Sequence, residues 1–427
     1  MLSSALTLFT MRRPSKKPSR KFSADSHRLA ELAQALIQAS SRLEERAWER
    51  EIEVLLGKHF KAHHQEPIDG ALEQLFPTQP DAYDALMDVV EACSESSTIE
   101  YQGKQYDCLL VGIPLLAWTR FSIGSGPIPA DVVMTLSAHL HAHILAPEVQ
   151  TAIVPTLYAI DQLPRTHCET FTLLQQLSHA ALSDAPVRSP ANPPETAPFL
   201  ADTRYLLAAL VVPTGMPLFH WQLARGQAGH IAADKERALE QWRMQVTPNL
   251  TRLLPGCGVQ VLLPEAYFAA CREADLQIRP ASLRAASYYL SHTLDIASKD
   301  LHATIGRFSE QPESGRVDEY RIGFSLGQTN EVIYGVVWPL YGQEEATEEI
   351  ITRASDSDEA TAEPETPLEQ ILSLLRECGI DDIQRHSEMF AMEFCDDCGT
   401  PLYPDREGDL VHPEMPDDAP SGSAHFH

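Results

Sequence analysis

Residues Val149–Asp161 read VQTAIVPTLYAID, and the same lettering returns at Val259–Cys271 as VQVLLPEAYFAAC. Each copy opens on Val-Gln, runs through apolar residues and reaches a Pro-x-x-Tyr, at Pro155 with Tyr158 and at Pro264 with Tyr267. Upstream of each lies a longer apolar run that reaches a proline: CLLVGIPLLAW from Cys108 and RYLLAALVVPTGMPLFHW from Arg204. Between run and echo sits a helix-like segment, ADVVMTLSAHLHAHIL in the first copy and KERALEQWRMQV in the second. A strand, helix, strand order recurring after about 110 residues is too long a period for a solenoid and fits a duplicated α/β unit. A fainter third copy starts at RIGFS (Arg321) and EVIYGVVWPLYG (Glu331), continues through PLEQILSLLRECG (Pro367) and closes with FAMEFC (Phe390).

The chain ahead of the copies has a different period. SADSHRLAELAQALIQA places Leu29, Leu32, Leu36 and Ile37 at helical spacing. Ser41 followed by Glu44 is a capping box, so two helices meet near Ser40. A third helix, from about Asp81 to Cys93, puts Tyr83, Leu86, Met87 and Val90 on one face. The predicted fold is therefore α+β: an N-terminal helical segment, two tandem strand-helix-strand units with the fainter third, and a C-terminal zinc-ribbon-like knuckle. The divisions fall at 1–24 (basic tail), 25–100 (helical), 101–182 (first unit), 183–198 (proline-rich linker) and 199–310 (second unit). Residues 311–394 form the third unit, with an acidic loop at 344–367, and 395–427 the acidic knuckle tail.

With 427 residues, 44% of them hydrophobic and 22% charged, the composition is that of a globular protein. Sixty acids against 33 bases give −27, unevenly spread. Residues 344–366 carry −8 and 395–427 carry −7, whereas the first 24 carry +6, which leaves −18 on the rest. Such a body repels phosphate backbones, so a nucleic-acid contact is expected only through the basic tail, Arg12 to Lys21. The longest apolar run, Leu109–Trp118, has ten residues and a proline, short of a membrane span. Charges follow the apolar ALTLF where a secretion signal would have them first, and Met11 offers a second start. The Arg- and Ser-rich leader also fits a transit peptide, but Pro14 and Pro18 spoil its helix, and a flexible tail is the plainer reading. Eight cysteines, six of them scattered, form no disulfide framework, so cytoplasmic residence is expected. Protein partners, and a homo-oligomer among them, suit this composition better than membrane or nucleic acid.

Chemistry concentrates at CDDCGTPLYP, Cys395–Pro404. Thiolates two residues apart can converge on one ion, and Gly399 suits the tight backbone that follows. A closed zinc site needs four ligands, and His412 in GDLVHPE is the next donor. His425 or His427 in the terminal HFH is a candidate for the fourth, with Cys378, His386 or another subunit as alternatives. Asp396 and Asp397 are expected to raise the thiol pKa values, which disfavours a redox pair and favours a cation. His139 and His143 lie one helical turn apart without an HExxH arrangement and read as solvated histidines. FSIGSGPIPAD has two glycines between strand and helix but no Lys-Ser or Lys-Thr, so it reads as a connecting loop. Arg272, Asp275 and Arg279 in CREADLQIRP, with Arg165 in DQLPR, offer a candidate ligand site between the copies. An enzyme of unrecognised mechanism built there is the alternative to a non-enzymatic interaction or regulatory protein.

FLADTRYLLAALVVP, DQLPR, CREADLQIRP, VIYGVVWPLYG and CDDCGTPLYP with the terminal HFH together resemble an uncharacterised bacterial domain-of-unknown-function family, family 2863. The resemblance runs from about Phe22 to the end of the chain. It implies no activity and assigns no catalytic or binding residue.

Overall fold

The computed structural model describes residues 22–189, 199–223, 231–327, 329–341, 344 and 365–416. The basic tail as far as Lys21, most of the proline-rich linker and of the acidic loop, and His425 and His427 lie outside the described residues. Four helices come first: α1 (Ala24–Ile37), α2 (Arg42–Ala62), α3 (Glu66–Leu75) and α4 (Pro80–Glu95). Ser41 Oγ accepts from the Glu44 amide at the start of α2, and the Glu44 carboxylate reaches back to the Ser40 amide at 3.0 Å. Leu29, Leu32, Ile52, Leu56, Phe60, Leu86 and Val90 close a core of their own.

Beyond α4 the apolar runs become strands. β1 (Ser96–Tyr101) turns through Gln102 and Gly103, both at positive φ, into β2 (Lys104–Trp118). β2 pairs antiparallel with β6 (Ala201–Pro213), from Tyr106 opposite Pro213 to Trp118 opposite Ala201. Both strands are apolar at nearly every position because both faces of the sheet are covered. Val111, Ile113 and Leu115 face α5 (Ala130–His143) and α7 (Ile231–Leu250), whereas Leu110, Leu116, Leu207 and Ala209 face α6 (His167–Ser183) and α8 (Tyr267–Thr293).

The two echo stretches flank this central pair. The first forms β4 (Gln150–Ile153) and β5 (Thr156–Ala159) along β6; the second forms β7 (Gly258–Val261) and β8 (Glu265–Ala266) along β2. Pro155 and Pro264, having no N–H to give a ladder, mark the break in each edge. The repeating motif is thus strand, helix, broken strand, helix, and each broken strand pairs with the long strand of the other copy. With β1 and the short β3 (Gly126–Pro127), which pairs with β5, the two copies share one eight-stranded sheet.

A second sheet has the order β11-β10-β9-β12, built from β9 (Leu301–Ser309), β10 (Glu319–Leu326), β11 (Val332–Pro339) and β12 (Asp382–Ala391). The first three run antiparallel, and β12 arrives parallel to β9 after α9 (Pro367–Glu377). Helix α8 joins the sheets: Tyr267, Phe268, Cys271 and Ala274 enter the first core, and Leu283, Ala286 and Leu290 the second. Pro280 interrupts α8 midway, and the Leu276 carbonyl it leaves without a helical donor lies 3.4 Å from Arg279 Nε. The C-terminal part carries a two-residue hairpin, β13 (Tyr403–Pro404) with β14 (Leu410–Val411), beside a Cys/Cys/His cluster. That is less than the zinc ribbon expected from sequence: Phe394 makes an isolated bridge to Pro401, so no continuous strand leads into Cys395.

Candidate metal centre

The second sheet holds the knuckle by two devices. One is a floor without side chains: Gly323 of β10 sits opposite Gly335 of β11, and the Tyr403 ring lies over them. A Cβ built on Gly335 would stand 2.2 Å from Tyr403 Cζ, and one on Gly323 would stand 3.0 Å from the Pro404 carbonyl oxygen, so only glycine admits β13 at this depth. The other is Arg321, fully buried on β10. Its Nη1 donates to the carbonyls of Glu393 (2.7 Å) and Leu402 (2.8 Å), the two ends of the knuckle loop. Its Nε donates to Glu319 at 2.6 Å, and the guanidinium lies against the Phe308 and Phe394 rings.

Within the loop the backbone closes on itself. The Cys395 amide donates to the Thr400 carbonyl and the Gly399 amide to the Cys395 carbonyl, both at 2.8 Å, with Gly399 at φ 77°. The turn aims the Cys395 and Cys398 sulfurs the same way, and β14 delivers His412 to them. The ligand atoms of Cys395, Cys398 and His412 all lie within 4.8 Å of one another, and His412 Nε2 is 3.2 Å from Cys398 Sγ. Among the described residues this is the one such group of three or more His, Cys, Asp or Glu side chains.

The Cys398 thiol is pushed down to about 6, chiefly by the Thr400 hydroxyl 3.2 Å away and the Thr400 backbone, with His412 and Cys395 adding to it. The expectation that Asp396 and Asp397 raise this thiol fails because hydrogen-bond donors at contact distance outweigh solvated carboxylates. The electrostatic objection to a redox pair is therefore lost at Cys398. What favours a cation is instead the third donor, because an imidazole brought to both sulfurs completes a Cys2His set suited to zinc.

The other expected donors lie elsewhere. Cys378 packs against the second core, and His386 Nε2 is 2.8 Å from the Asp405 carbonyl oxygen. His139 and His143 stack on α5, with His143 Nε2 3.1 Å from Gln245 Oε1.

The ligand site expected between the copies divides by residue. Arg165 is exposed, with Nη2 3.1 Å from the Asp161 carbonyl. Arg272 pairs with the buried Glu91 of α4. Arg279 is buried: it grips both Glu344 oxygens (3.0 and 2.9 Å) and the Pro339 carbonyl (2.8 Å), and it stacks on Trp338 and Tyr341. Asp275, one turn before Arg279, is pushed up to about 7 by burial, against the pull of that guanidinium. Structure thus groups Asp275 with Arg279 and joins Arg272 to the helical segment.

Sequence reading named the buried Arg279 but missed the two buried strand arginines, Arg204 and Arg321. Arg204 of β6 pairs with Asp202 and donates to the carbonyls of Gly124 and Ile123, both at 2.8 Å. The glycine loop of FSIGSGPIPAD thus turns carbonyls toward a cation. Acid-x-Arg inside an apolar strand, Asp202 with Arg204 and Glu319 with Arg321, was the available signal, since a period of two puts both charges on one buried face.

A family described as protein of unknown function (DUF2863) matches residues 14–426. The chain belongs to DUF2863. The DUF2863 match spans the helical segment, both sheets and the knuckle, so these parts form one family unit. No curated protein and no solved structure matches the chain. Among its described residues no helix is long and apolar enough to cross a membrane.

Proposed function

We propose that this DUF2863 chain is a cytoplasmic, non-enzymatic interaction or regulatory protein whose C-terminal knuckle is held by zinc on Cys395, Cys398 and His412. One observation carries the reading: two sulfurs and an imidazole converge in a loop whose ends are already fastened to a sheet. His425 or His427 supplies the fourth ligand in this reading, and the partner is a protein, a second copy of the chain included.

The same geometry invites comparison with a cysteine nucleophile activated by His412. That alternative leaves the Cys395 sulfur without a task, whereas an ion uses all three donors. The enzyme reading with Arg165, Arg272, Asp275 and Arg279 has the pKa of Asp275 in its favour, near the value a general acid or base needs. Against it weighs the engagement of Arg279 by Glu344 and a main-chain carbonyl, which leaves little of the guanidinium for a ligand.

Elemental analysis of the full chain, purified without added metal, tests the proposal. About one zinc per chain is expected, lost in the Cys395→Ser and Cys398→Ser variants while far-UV circular dichroism stays unchanged. Metal-free native protein would remove the proposal.

A further inference from the structure

Resting on that reading of the knuckle, we infer that Glu414 is the positioning residue of the metal site: it holds His412 with Nδ1 protonated, so that Nε2 is presented to the ion. His412 has one nitrogen on each side of the question. Nε2 faces the sulfurs, 3.2 Å from Cys398 Sγ. Nδ1 points the other way, is buried, and has no hydrogen-bond partner among the described residues. The acceptor nearest to hand is Glu414 Oε1 at 3.5 Å.

A buried ring N–H left without an acceptor is costly, and closing a gap of about half an ångström is within reach of an exposed glutamate side chain. The glutamate's backbone needs no such movement, because the Glu414 amide donates to the Val332 carbonyl of β11 at 2.9 Å. The main chain just past His412 is thereby fixed to the same sheet that carries Arg321 and the glycine floor. A carboxylate on Nδ1–H fixes the tautomer, orients the ring and makes Nε2 a better donor to a metal. Without metal the ring can take the other tautomer, with Nε2–H toward Cys398 Sγ, so the exposed carboxylate adds little to the stability of the metal-free chain and its effect is expected in metal affinity.

The test is a chelator competition on the full chain, with zinc as the probe, for wild type and for Glu414→Ala, Glu414→Gln and His412→Ala. Glu414→Ala is expected to weaken zinc binding by about 10- to 100-fold, with circular dichroism and thermal midpoint of the metal-free protein unchanged. Glu414→Gln, whose amide oxygen can still accept from Nδ1–H, is expected to recover most of that loss, which a merely structural role would not predict. Cobalt substitution gives a second readout: the ligand-field bands keep their positions in Glu414→Ala and shift in His412→Ala. Wild-type affinity in Glu414→Ala overturns the positioning role while leaving the metal site standing. Absence of zinc binding by the wild type overturns the site itself, and the two failures are distinct.

Discussion

Arg204 and Arg321 do the same work in two different places. Each is fully buried on a strand, each is paired with an acid two residues earlier, and each donates to two carbonyls of a distant loop. Arg204 ties Ile123 and Gly124 to the first sheet, and Arg321 ties Glu393 and Leu402 to the second. The loops differ in what they carry. The first offers main-chain carbonyls and glycines; the second brings two thiols and an imidazole together. A buried guanidinium is a general way to satisfy irregular backbone against a sheet, and chemistry is added to one copy of that device by the residues of the loop alone.

The largest expected effect breaks the comparison at its shared element. Replacing Arg321 by Met leaves Glu319 buried without its partner and frees both ends of the knuckle loop. Removing one member of a buried pair costs about 3–5 kcal/mol, so urea denaturation should show a loss of that size. Arg204→Met should cost a similar amount through Asp202, but zinc affinity, measured by chelator competition, should fall only in Arg321→Met. Equal loss of affinity in both variants would mean that the clamps are not local.

A smaller effect lies where α8 passes from one sheet to the other. Burial lifts Asp275 from 3.8 to about 7, so the folded state holds a proton there that the unfolded chain has released. Its contribution is therefore complete below about pH 4 and is lost as pH rises toward and through 7, on the order of 4 kcal/mol in all. Glu95, lifted to about 7 mainly by burial, acts in the same direction. His167, pushed down to about 4 by burial, acts in the opposite one, because its neutral form is favoured and stability falls as pH drops below 6.5. Asp275→Asn should flatten the loss between about pH 4 and pH 8 in urea titrations, leaving the weaker opposed slopes of the other two. An unchanged slope would show that Asp275 is ionised in the folded protein.

The parts of this fold that depend on local pattern were legible in the sequence. Leu110 and Val111 belong to an unbroken apolar run, too short for a membrane span, that suits a strand buried on both faces, and the Pro155 and Pro264 echoes announce a repeat. That each echo pairs with the other copy's long strand is invisible in either copy alone, because pairing is decided by contacts far apart in sequence. Helix α3 lies within the helical segment expected at 25–100 but was not singled out there; its Pro67 sits in the first turn, where no N–H is needed. Gly70 is there because a Cβ would lie 2.8 Å from Ser26 Oγ of the neighbouring α1. At the knuckle, spacing pointed to Cys395, Cys398 and His412. Thr400, which sets the Cys398 thiol, and Glu414 behind His412 become visible only when the loop is folded.

The smallest expected effect compares the two sheets at single glycines. Gly112 lies on β2 beneath α8, where a Cβ would approach Ala270 Cβ to 3.0 Å; Gly335 lies on β11 beneath Tyr403, where it would enter the ring. A helix backbone set on a sheet can retreat by a few tenths of an ångström, so Gly112→Ala should cost about 1 kcal/mol, at the low end for overpacking. Tyr403 is buried, and its ring has no such freedom while Arg321 holds Leu402, the residue before it, in place. Gly335→Ala should therefore cost nearer 3 kcal/mol or expel the ring, and only this variant should also weaken zinc binding. If Gly335→Ala unfolds at the wild-type urea midpoint with Tyr403 fluorescence unchanged, the C-terminal segment does not rest on the glycine floor, and the fastening of the knuckle falls to Arg321 alone.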